Sequence, residues 1–371
     1  MKIALVLIIF SLSLVTQAFV VRPDIVYDRI NGVELALDLY TPSRLSNVKL
    51  PVLVFIHGGC FNAGSRKAVP NEVKAMADEG FVVVSVGYRL AQVAKYPAAV
   101  TDVQQAIRYL RRHADQLSID ANKIAVHGES AGGYLAATLG LRSLPDRRNN
   151  IDSYSGRVQV VSDWFGRTDF TLGQTTGNDC AEIFLGKTRS PLTMTDFKEA
   201  SLLKDAGPNS ASFVIVHGTN DQQVYPIHST LLANQLWKIG KPASLFFYEN
   251  AGHGFSRTTA WKVSKNHIRS VLGLPMNASL ATDFVYRVNF NLVASGRPRG
   301  QFNLNLVLGS GPKVAVFPEI TERNFDSRLE LRGAFGVIST TGQVSLATEA
   351  FSLSRDQALI QTRKNVVKLS R

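Results

Sequence analysis

"HGESAGGY", residues 127–134, places Ser130 among glycines, directly after an apolar run and directly before a helix-forming stretch. The segment 128–132 matches G-x-S-x-G, the elbow in which a sharp strand-to-helix turn lifts a serine hydroxyl above the edge of a sheet. Glycines at such a junction also serve simply to pack a helix closely on a strand, so the motif alone leaves both interpretations open. The surrounding chain decides between them.

Short apolar runs recur along the chain with helical stretches between them. Nearly continuous runs of this kind are typical of strands that are covered on both faces, as in parallel sheets. Together with a hairpin predicted around Asn31-Gly32, they indicate an α/β fold with a mostly parallel sheet flanked by helices. The runs are 52–56, 81–86, 123–126, 158–161, 213–216 and 245–248.

The pattern changes near Pro275. Beyond it the chain alternates apolar and polar residues with period two, as in "FNLNL" (302–306), which predicts a smaller all-β C-terminal region. We therefore divide the chain into a signal peptide (1–18), an α/β domain that contains the serine motif (19–274) and a β-rich domain (275–371). The last has no assigned role and is a candidate for binding an unknown partner.

The first residues are typical of a secretory signal: Lys2, an apolar run over 3–15, and a small residue at Ala18, where we expect cleavage. A membrane anchor is the alternative, but the run is shorter than the roughly 20 residues that a spanning helix needs. We expect an exported protein with no integral membrane segment after cleavage. In a eukaryotic secretory pathway, Asn277-Ala278-Ser279 would be a glycosylation acceptor.

Charge and cysteine content narrow the function classes. The formal charge is +12, but the basic residues are dispersed rather than clustered with aromatic residues, so we expect no nucleic-acid partner. Only Cys60 and Cys180 are present, which rules out a cysteine-cluster metal site and leaves either one disulfide or two free thiols. We expect neither a metal nor a cofactor.

A serine nucleophile needs a base, and the base needs a partner that orients its ring. Asp221 follows the apolar run 213–216, and His253 follows the next run. In a parallel sheet both would lie at the same edge as Ser130, where open α/β folds place their sites. Three other residues compete for these roles but do not follow a core strand in this way: Asp179, Asp205 and His228.

Acyl transfer also requires hydrogen-bond donors for the developing oxyanion. The turn after the run 52–56 contains Gly58 and Gly59, whose amides we assign to this role together with that of Ala131. A tight turn that merely needs two glycines is the alternative interpretation.

The combination of these motifs resembles the HGG-motif esterase and lipase branch of the α/β-hydrolase superfamily, near the hormone-sensitive-lipase and feruloyl/acetyl esterase-like enzymes. The resemblance covers about residues 24–273 and implies a serine esterase in which Ser130 attacks an ester carbonyl, His253 relays the proton and Asp221 orients His253. His-Gly-Gly-Cys in place of the HGGG of some relatives leaves the third oxyanion donor open. The matching stretches are "FIHGGCF" (55–61), "VSVGYRLA" (84–91), "YPAAVTDVQQAIRYL" (96–110), "IAVHGESAGGYLA" (124–136), "VHGTNDQQV" (216–224) and "AGHGF" (251–255).

The same resemblance implies that the loop at 162–170 lines the substrate pocket. Phe61, Trp164 and Phe165 are candidates for an apolar wall there, although they would serve equally well as core aromatics. We interpret 170–200 as a cap over the site. Because no long exposed apolar stretch resembles a lipase lid, small esters or acyl groups on carbohydrate are favoured as substrates over triglyceride.

Two other functions stay open. Amide hydrolases and peptidases share this fold, and the fold alone does not separate ester from amide cleavage. A non-catalytic secreted binding protein on a hydrolase scaffold is the second alternative, and the intact set of nucleophile, base and orienting residue argues against it.

Overall fold

The computed structural model describes residues 19–43, 48–142, 154–172 and 179–275, together with nine short strands between 285 and 368. The expected signal peptide and Asn277 lie outside these residues. The strands of the α/β unit are β1 (Phe19–Ile30), β2 (Val33–Pro42), β3 (Leu50–Ile56), β4 (Val82–Val86), β5 (Ile119–Glu129), β6 (Val160–Trp164), β7 (Ser212–Gly218) and β8 (Ala243–Tyr248). The helices are α1 (Asn71–Lys74), α2 (Ala98–Arg112), α3 (Ala131–Leu141), α4 (Cys180–Leu185), α5 (Met194–Ala200), α6 (Ile227–Lys238) and α7 (Arg257–Val271).

The central sheet has the strand order β1-β2-β4-β3-β5-β6-β7-β8. The strands β4, β3, β5, β6, β7 and β8 are parallel, whereas β1 and β2 form an antiparallel hairpin that joins the edge of the sheet through β4. The predicted mostly parallel α/β sheet and its edge hairpin are confirmed.

Apolar side chains cover both faces of this sheet. Alternate residues of β3 enter two separate cores: Val52 and Val54 pack in the core that α2, α3 and α6 cover, while Leu53 and Phe55 pack in the core that α1 and α7 cover. Burial on both faces explains why the strands read as continuous apolar runs rather than as alternating ones.

The remaining strands lie in the C-terminal part of the chain. One of them, 335–338, pairs in parallel with β8, and 344–346 pairs with it in turn, so that the sheet extends to ten strands. The domain boundary at 275 stays a prediction. These strands are β9 (Val285–Asn289), β10 (Leu304–Leu306), β11 (Val314–Val316), β12 (Leu329–Arg332), β13 (Phe335–Ile338), β14 (Val344–Leu346), β15 (Phe351–Leu353), β16 (Leu359–Gln361) and β17 (Val366–Lys368).

The parallel topology brings several strand ends to one edge of the sheet. The carboxyl ends of β3, β5, β7 and β8 are followed there by the loops that carry the predicted site residues. Among the residues that the structure describes, no helix combines the length and apolar character needed to cross a membrane.

Candidate active site

Ser130 sits at a sharp turn between β5 and α3. Its backbone has φ 56° and ψ −119°, a region that a residue with a side chain rarely adopts. A Cβ on Gly128 would lie 2.1 Å from the carbonyl oxygen of Gly132, and a Cβ on Gly132 would lie 2.1 Å from that of Ile56. Both glycines are therefore required for the close approach of helix and strands that holds this strained turn.

The three predicted residues meet in one hydrogen-bonded chain. His253 Nε2 lies 2.8 Å from Ser130 Oγ, and His253 Nδ1 lies 2.7 Å from Asp221 Oδ2. A carboxylate accepts only, so Nδ1 carries the proton and donates to Asp221, which leaves the Nε2 lone pair to accept the serine hydroxyl. This is the arrangement in which a histidine can take a proton from a serine.

The carboxylate of Asp221 is buried and held by several donors. The backbone amides of Gln223 and Val224 donate to Oδ1 at 2.9 and 3.0 Å. Burial alone would raise the pKa of Asp221, but the hydrogen bonds and charges of His217 and His253 hold that pKa well below its usual range. Asp221 therefore stays ionised and keeps His253 in the tautomer described above.

His217 was not predicted as part of the site. Its Nε2 lies 3.2 Å from Asp221 Oδ2 and 2.7 Å from the carbonyl oxygen of Val224, while its Nδ1 lies 2.6 Å from Ser229 Oγ. These contacts hold the imidazole of His217 against Asp221 Oδ2, the same carboxylate oxygen that accepts from His253 Nδ1. The spacing i, i+4 to Asp221 in "HGTND" was the only signal for this role in the sequence.

The turn after β3 has its peptide planes fixed by side chains. Tyr88 Oη donates to the carbonyl oxygen of His57 at 3.0 Å, and His57 Nδ1 donates to that of Gly58 at 2.8 Å. In a trans peptide the N–H points opposite to the C=O, so these bonds turn the amides of Gly58 and Gly59 to the other side of the loop. Gly58 lies against the serine turn, because a Cβ there would be 2.8 Å from the carbonyl oxygen of Glu129. The assignment of these amides and that of Ala131 as oxyanion donors stays a prediction.

A cavity of about 540 Å³ opens beside Ser130 and His253. Trp164 and Phe165 are among the residues that line it, and their role in binding substrate stays a prediction. The other lining residues are Gly58, Gly59, Cys60, Ala63, Glu129, Cys180, Gln223, Val224, Gly254, Phe255 and Arg257.

Phe61 is not part of that wall, contrary to the expectation from the sequence. Its side chain is 2% exposed and stacks on Phe184 of α4, with ring centroids 3.9 Å apart, and it meets Tyr134 edge-on. A φ of +59° at Phe61 accompanies this placement of the ring among the core aromatics rather than in the cavity.

Cys60 and Cys180 form a disulfide, which resolves the alternative left open by the sequence. The bond joins the glycine turn to the first residue of α4 and lies in the cavity wall. The segment interpreted as a cap is thus covalently attached to the predicted oxyanion loop.

Arg257 is a second residue that the sequence did not single out. Its guanidinium contacts the carboxylates of both Glu129 and Glu72, with Nη1 lying 3.0 Å from Glu129 Oε2. It also covers the ring of Trp164 at 5.0 Å. Burial lowers the pKa of Arg257 to about 10, which still leaves it charged at neutral pH. Arg257 is the first residue of α7, so this ion pair connects Glu129, the residue before Ser130, to the helix that follows the His253 loop.

The competing residues have other partners. Asp179 caps α4 through the amide of Ala181 and pairs with Arg167 and Arg189. Asp205 accepts from Arg142 Nε at 2.7 Å. Burial holds the pKa of His228 well below its usual value. In the described part of the chain, no group of three or more His, Cys, Asp or Glu side chains is placed to hold a metal ion.

Comparison with known proteins adds independent findings. The BD-FAE family model matches residues 37–236. Esterase LipC of Mycobacterium tuberculosis is 29% identical over 228 residues, which cover 59% of this chain and 56% of LipC. The chain thus spans about half the length of the curated relatives that it matches.

Solved structures share the fold. A truncated carbohydrate esterase from gut microbiota superimposes with a TM-score of 0.61 at 24% identity, covering 70% of this chain and 98% of that one. A bifunctional GH43-CE protein of Bacteroides eggerthii matches with a TM-score of 0.58 at 27% identity, covering 68% of this chain and 35% of that one.

Proposed function

This chain belongs to the BD-FAE family of α/β-hydrolase esterases, and from that membership we propose that it hydrolyses carboxylic esters through an acyl-enzyme formed on Ser130. The observation that carries the proposal is the continuous hydrogen-bonded chain from Ser130 through His253 to an ionised, buried Asp221. Relatives such as esterase LipC support the reaction class.

Acylation follows from the positions of these three groups. His253 Nε2 takes the hydroxyl proton as Ser130 Oγ bonds to the ester carbonyl carbon, and the imidazolium that forms is stabilised by Asp221. The negative oxygen of the tetrahedral intermediate accepts from the amides of Gly58, Gly59 and Ala131. His253 then gives its proton to the alcohol oxygen as the bond between that oxygen and the carbonyl carbon breaks.

Deacylation repeats these steps with water. His253 Nε2 takes a proton from a water molecule, whose oxygen bonds to the acyl carbon, and the same amides hold the second oxyanion. The proton returns to Ser130 Oγ as the acid leaves, which restores the starting state.

The proposed substrates are small esters or acyl groups on carbohydrate. A cavity of about 540 Å³, lined by aromatic residues and by the two cysteines of the disulfide, suits a short acyl chain. The truncated carbohydrate esterase among the structural relatives supports the same substrate class.

A panel of p-nitrophenyl esters tests the proposal. We expect turnover that is fastest with acetate and butyrate, falls with longer acyl chains, and drops by at least about 10³-fold in Ser130→Ala. Ser118→Ala is the matched control, because Ser118 also has a positive φ, of 54°, but does not line the cavity.

The alternatives give different results in the same assay. Hydrolysis of acyl p-nitroanilides faster than of the matching esters would identify an amide hydrolase. Absence of turnover on both series, in a folded protein, would contradict catalysis and leave the binding-protein function.

We also propose that the protein is exported. The pattern of residues 1–18 supports this, as does the Cys60–Cys180 disulfide, since such bonds persist mainly in oxidising compartments. N-terminal sequencing of protein recovered from the culture medium should begin at Phe19; retention of all the protein inside cells would contradict export.

A further inference from the structure

The disulfide lies next to the residues that are expected to hold the oxyanion. Cys60 directly follows Gly59, and both sulfur-bearing residues line the same cavity as Ser130. A bond in this place does more than join two distant segments, because it fixes the residue that ends the glycine turn.

The backbone of this turn is held in an unfavourable conformation. Gly59, Cys60 and Phe61 have φ values of 115°, 56° and 59°. Two consecutive residues with side chains in the left-handed region cost of order 1–3 kcal/mol each, so the surroundings must stabilise them. The hydrogen bonds from Asn62 and Ala63 to the Gly59 carbonyl close the turn but do not reach the side chain of Cys60.

The other end of the bond is firmly anchored. Cys180 begins α4, whose Asp179 cap is clamped by Arg167 and Arg189. The carbonyl of Phe184 accepts the amide of Tyr96 at 2.9 Å, which ties the helix to the main body of the fold. Cys180 is thus a fixed point from which a covalent bond can restrain Cys60.

We propose that the Cys60–Cys180 disulfide positions the oxyanion loop, so that the enzyme reaches its full rate only while the bond is oxidised. The inference rests on the proposed esterase function. Stacking of Phe61 on Phe184 holds the neighbouring residue without the bond, so reduction should impair the alignment of the Gly58 and Gly59 amides rather than destroy the site.

The test compares oxidised and reduced wild-type enzyme, with p-nitrophenyl acetate as substrate. Tris(2-carboxyethyl)phosphine reduces the disulfide to two thiols and is converted to the phosphine oxide, with one water molecule supplying the oxygen of the oxide and the two thiol hydrogens. Unlike a thiol, the phosphine does not cleave the ester by thiolysis. We expect kcat to fall about 10- to 100-fold, because loss of one oxyanion donor costs roughly 10²- to 10³-fold and this loss is partial. KM should change less than about threefold, since ground-state binding does not use these amides.

Two comparisons separate positioning from a general loss of stability. Reoxidation of the reduced enzyme should restore kcat, and circular dichroism at the assay temperature should show an intact fold throughout. The double variant C60A/C180A should show the low kcat from the start and no further response to the phosphine. Ser130→Ala supplies the background rate.

The outcomes are distinct. If the oxidised enzyme turns over the ester but the folded, reduced enzyme has the same kcat and only a lower Tm, the bond is a structural staple and the inference is wrong. If the oxidised enzyme itself has no ester or amide hydrolase activity, the proposed function fails, and the positioning role fails with it.

Discussion

Asp163 carries a buried carboxyl group at the end of β6, below the start of α3. Its Oδ1 accepts the amide of Gly166 at 2.9 Å, whereas its Oδ2 is buried with no hydrogen-bond partner among the described residues. Burial raises the pKa of Asp163 to about 7, because the ionised form loses its hydration without gaining a cation. The neutral acid is therefore the form that the fold accommodates.

This predicts a pH-dependent gain in stability for Asp163→Asn. Between about pH 4 and pH 7 the unfolded chain releases this proton while the folded chain retains it, so the wild-type free energy of unfolding falls as pH rises and stays low above pH 7. Asparagine keeps the acceptor for Gly166 and cannot ionise. Urea unfolding should show the variant roughly 2–4 kcal/mol more stable than wild type at pH 8, with little difference at pH 4.

Asp120→Asn is the control for that experiment, since the Asp120 carboxylate accepts the amide of Asn122 at 2.9 Å in a partly exposed position. Water solvates that carboxylate, so this variant shows what an Asp-to-Asn replacement does to stability at a position that is not buried. A stability difference for Asp163→Asn that is the same at pH 4 and pH 8 would contradict the account of Asp163.

At the scale of single residues, the sequence was sufficient to place residues whose position follows from a motif and from the order of the strands. Ser130, Asp221 and His253 each follow an apolar run. Because the carboxyl ends of parallel strands lie at the same edge of a sheet, the three residues come together there. The ring of Phe61 was misplaced because a positive φ at a residue with a side chain leaves no mark in the sequence. Arg257 went unnoticed because its contacts with Glu72 and Glu129 are long-range and follow no spacing rule.

At the scale of elements, the contact of α3 with β3 sets the position of the nucleophile. A Cβ on Gly132 would lie 2.1 Å from the carbonyl oxygen of Ile56 and 2.7 Å from that of His57, both backbone atoms of the strand and turn that lead to Gly58. The first turn of the helix thus rests directly on the predicted oxyanion loop.

Gly132→Ala should therefore separate Ser130 from that loop. We expect the free energy of unfolding to fall by about 1–3 kcal/mol through overpacking, and kcat on p-nitrophenyl acetate to fall at least about 10-fold through misalignment. Gly207→Ala is the matched control, because a Cβ there has no heavy atom within 4 Å. Equal kcat for the two variants would show that the helix tolerates the displacement without moving the nucleophile.

Strands could be predicted from the sequence where both of their faces are buried. Strands buried on both faces gave clear apolar runs, so β3 to β8 were found from the sequence. The short helices α4 and α5 were interpreted only as part of a cap, because the sequence there shows no clear helical periodicity. Ion pairs of Arg167 and Arg189 and the disulfide hold this segment in place instead.

At the scale of the whole molecule, the parallel topology converts large sequence separations into contacts. Ser130 and His253 are 123 residues apart and Asp221 and His253 are 32 apart, yet both pairs are within hydrogen-bond distance at one edge of the sheet. The disulfide closes a separation of 120 residues at the same edge. The sequence shows that a single disulfide is possible but not that the two cysteines lie close together. Their distance depends on the path of the segment after β6, which carries Cys180.

The pairing of β13 with β8 was likewise beyond prediction. A period-two pattern indicates strands but does not say which edge they join. The chain beyond 275 was predicted to be a separate domain because its pattern changes near Pro275, and both that boundary and its role stay predictions.

Covalent labelling shows directly whether His253 and Asp221 activate Ser130 as a nucleophile. Purified protein is treated with diethyl p-nitrophenyl phosphate, digested, and analysed by mass spectrometry. We expect one diethylphosphoryl group per chain, attached to Ser130, with activity lost in parallel. Ser130→Ala should carry no label, and labelling should be at least about 10²-fold slower in His253→Gln. An unlabelled Ser130 in folded wild-type protein, or equal labelling of wild type and Ser130→Ala, would show that Ser130 is not an activated nucleophile.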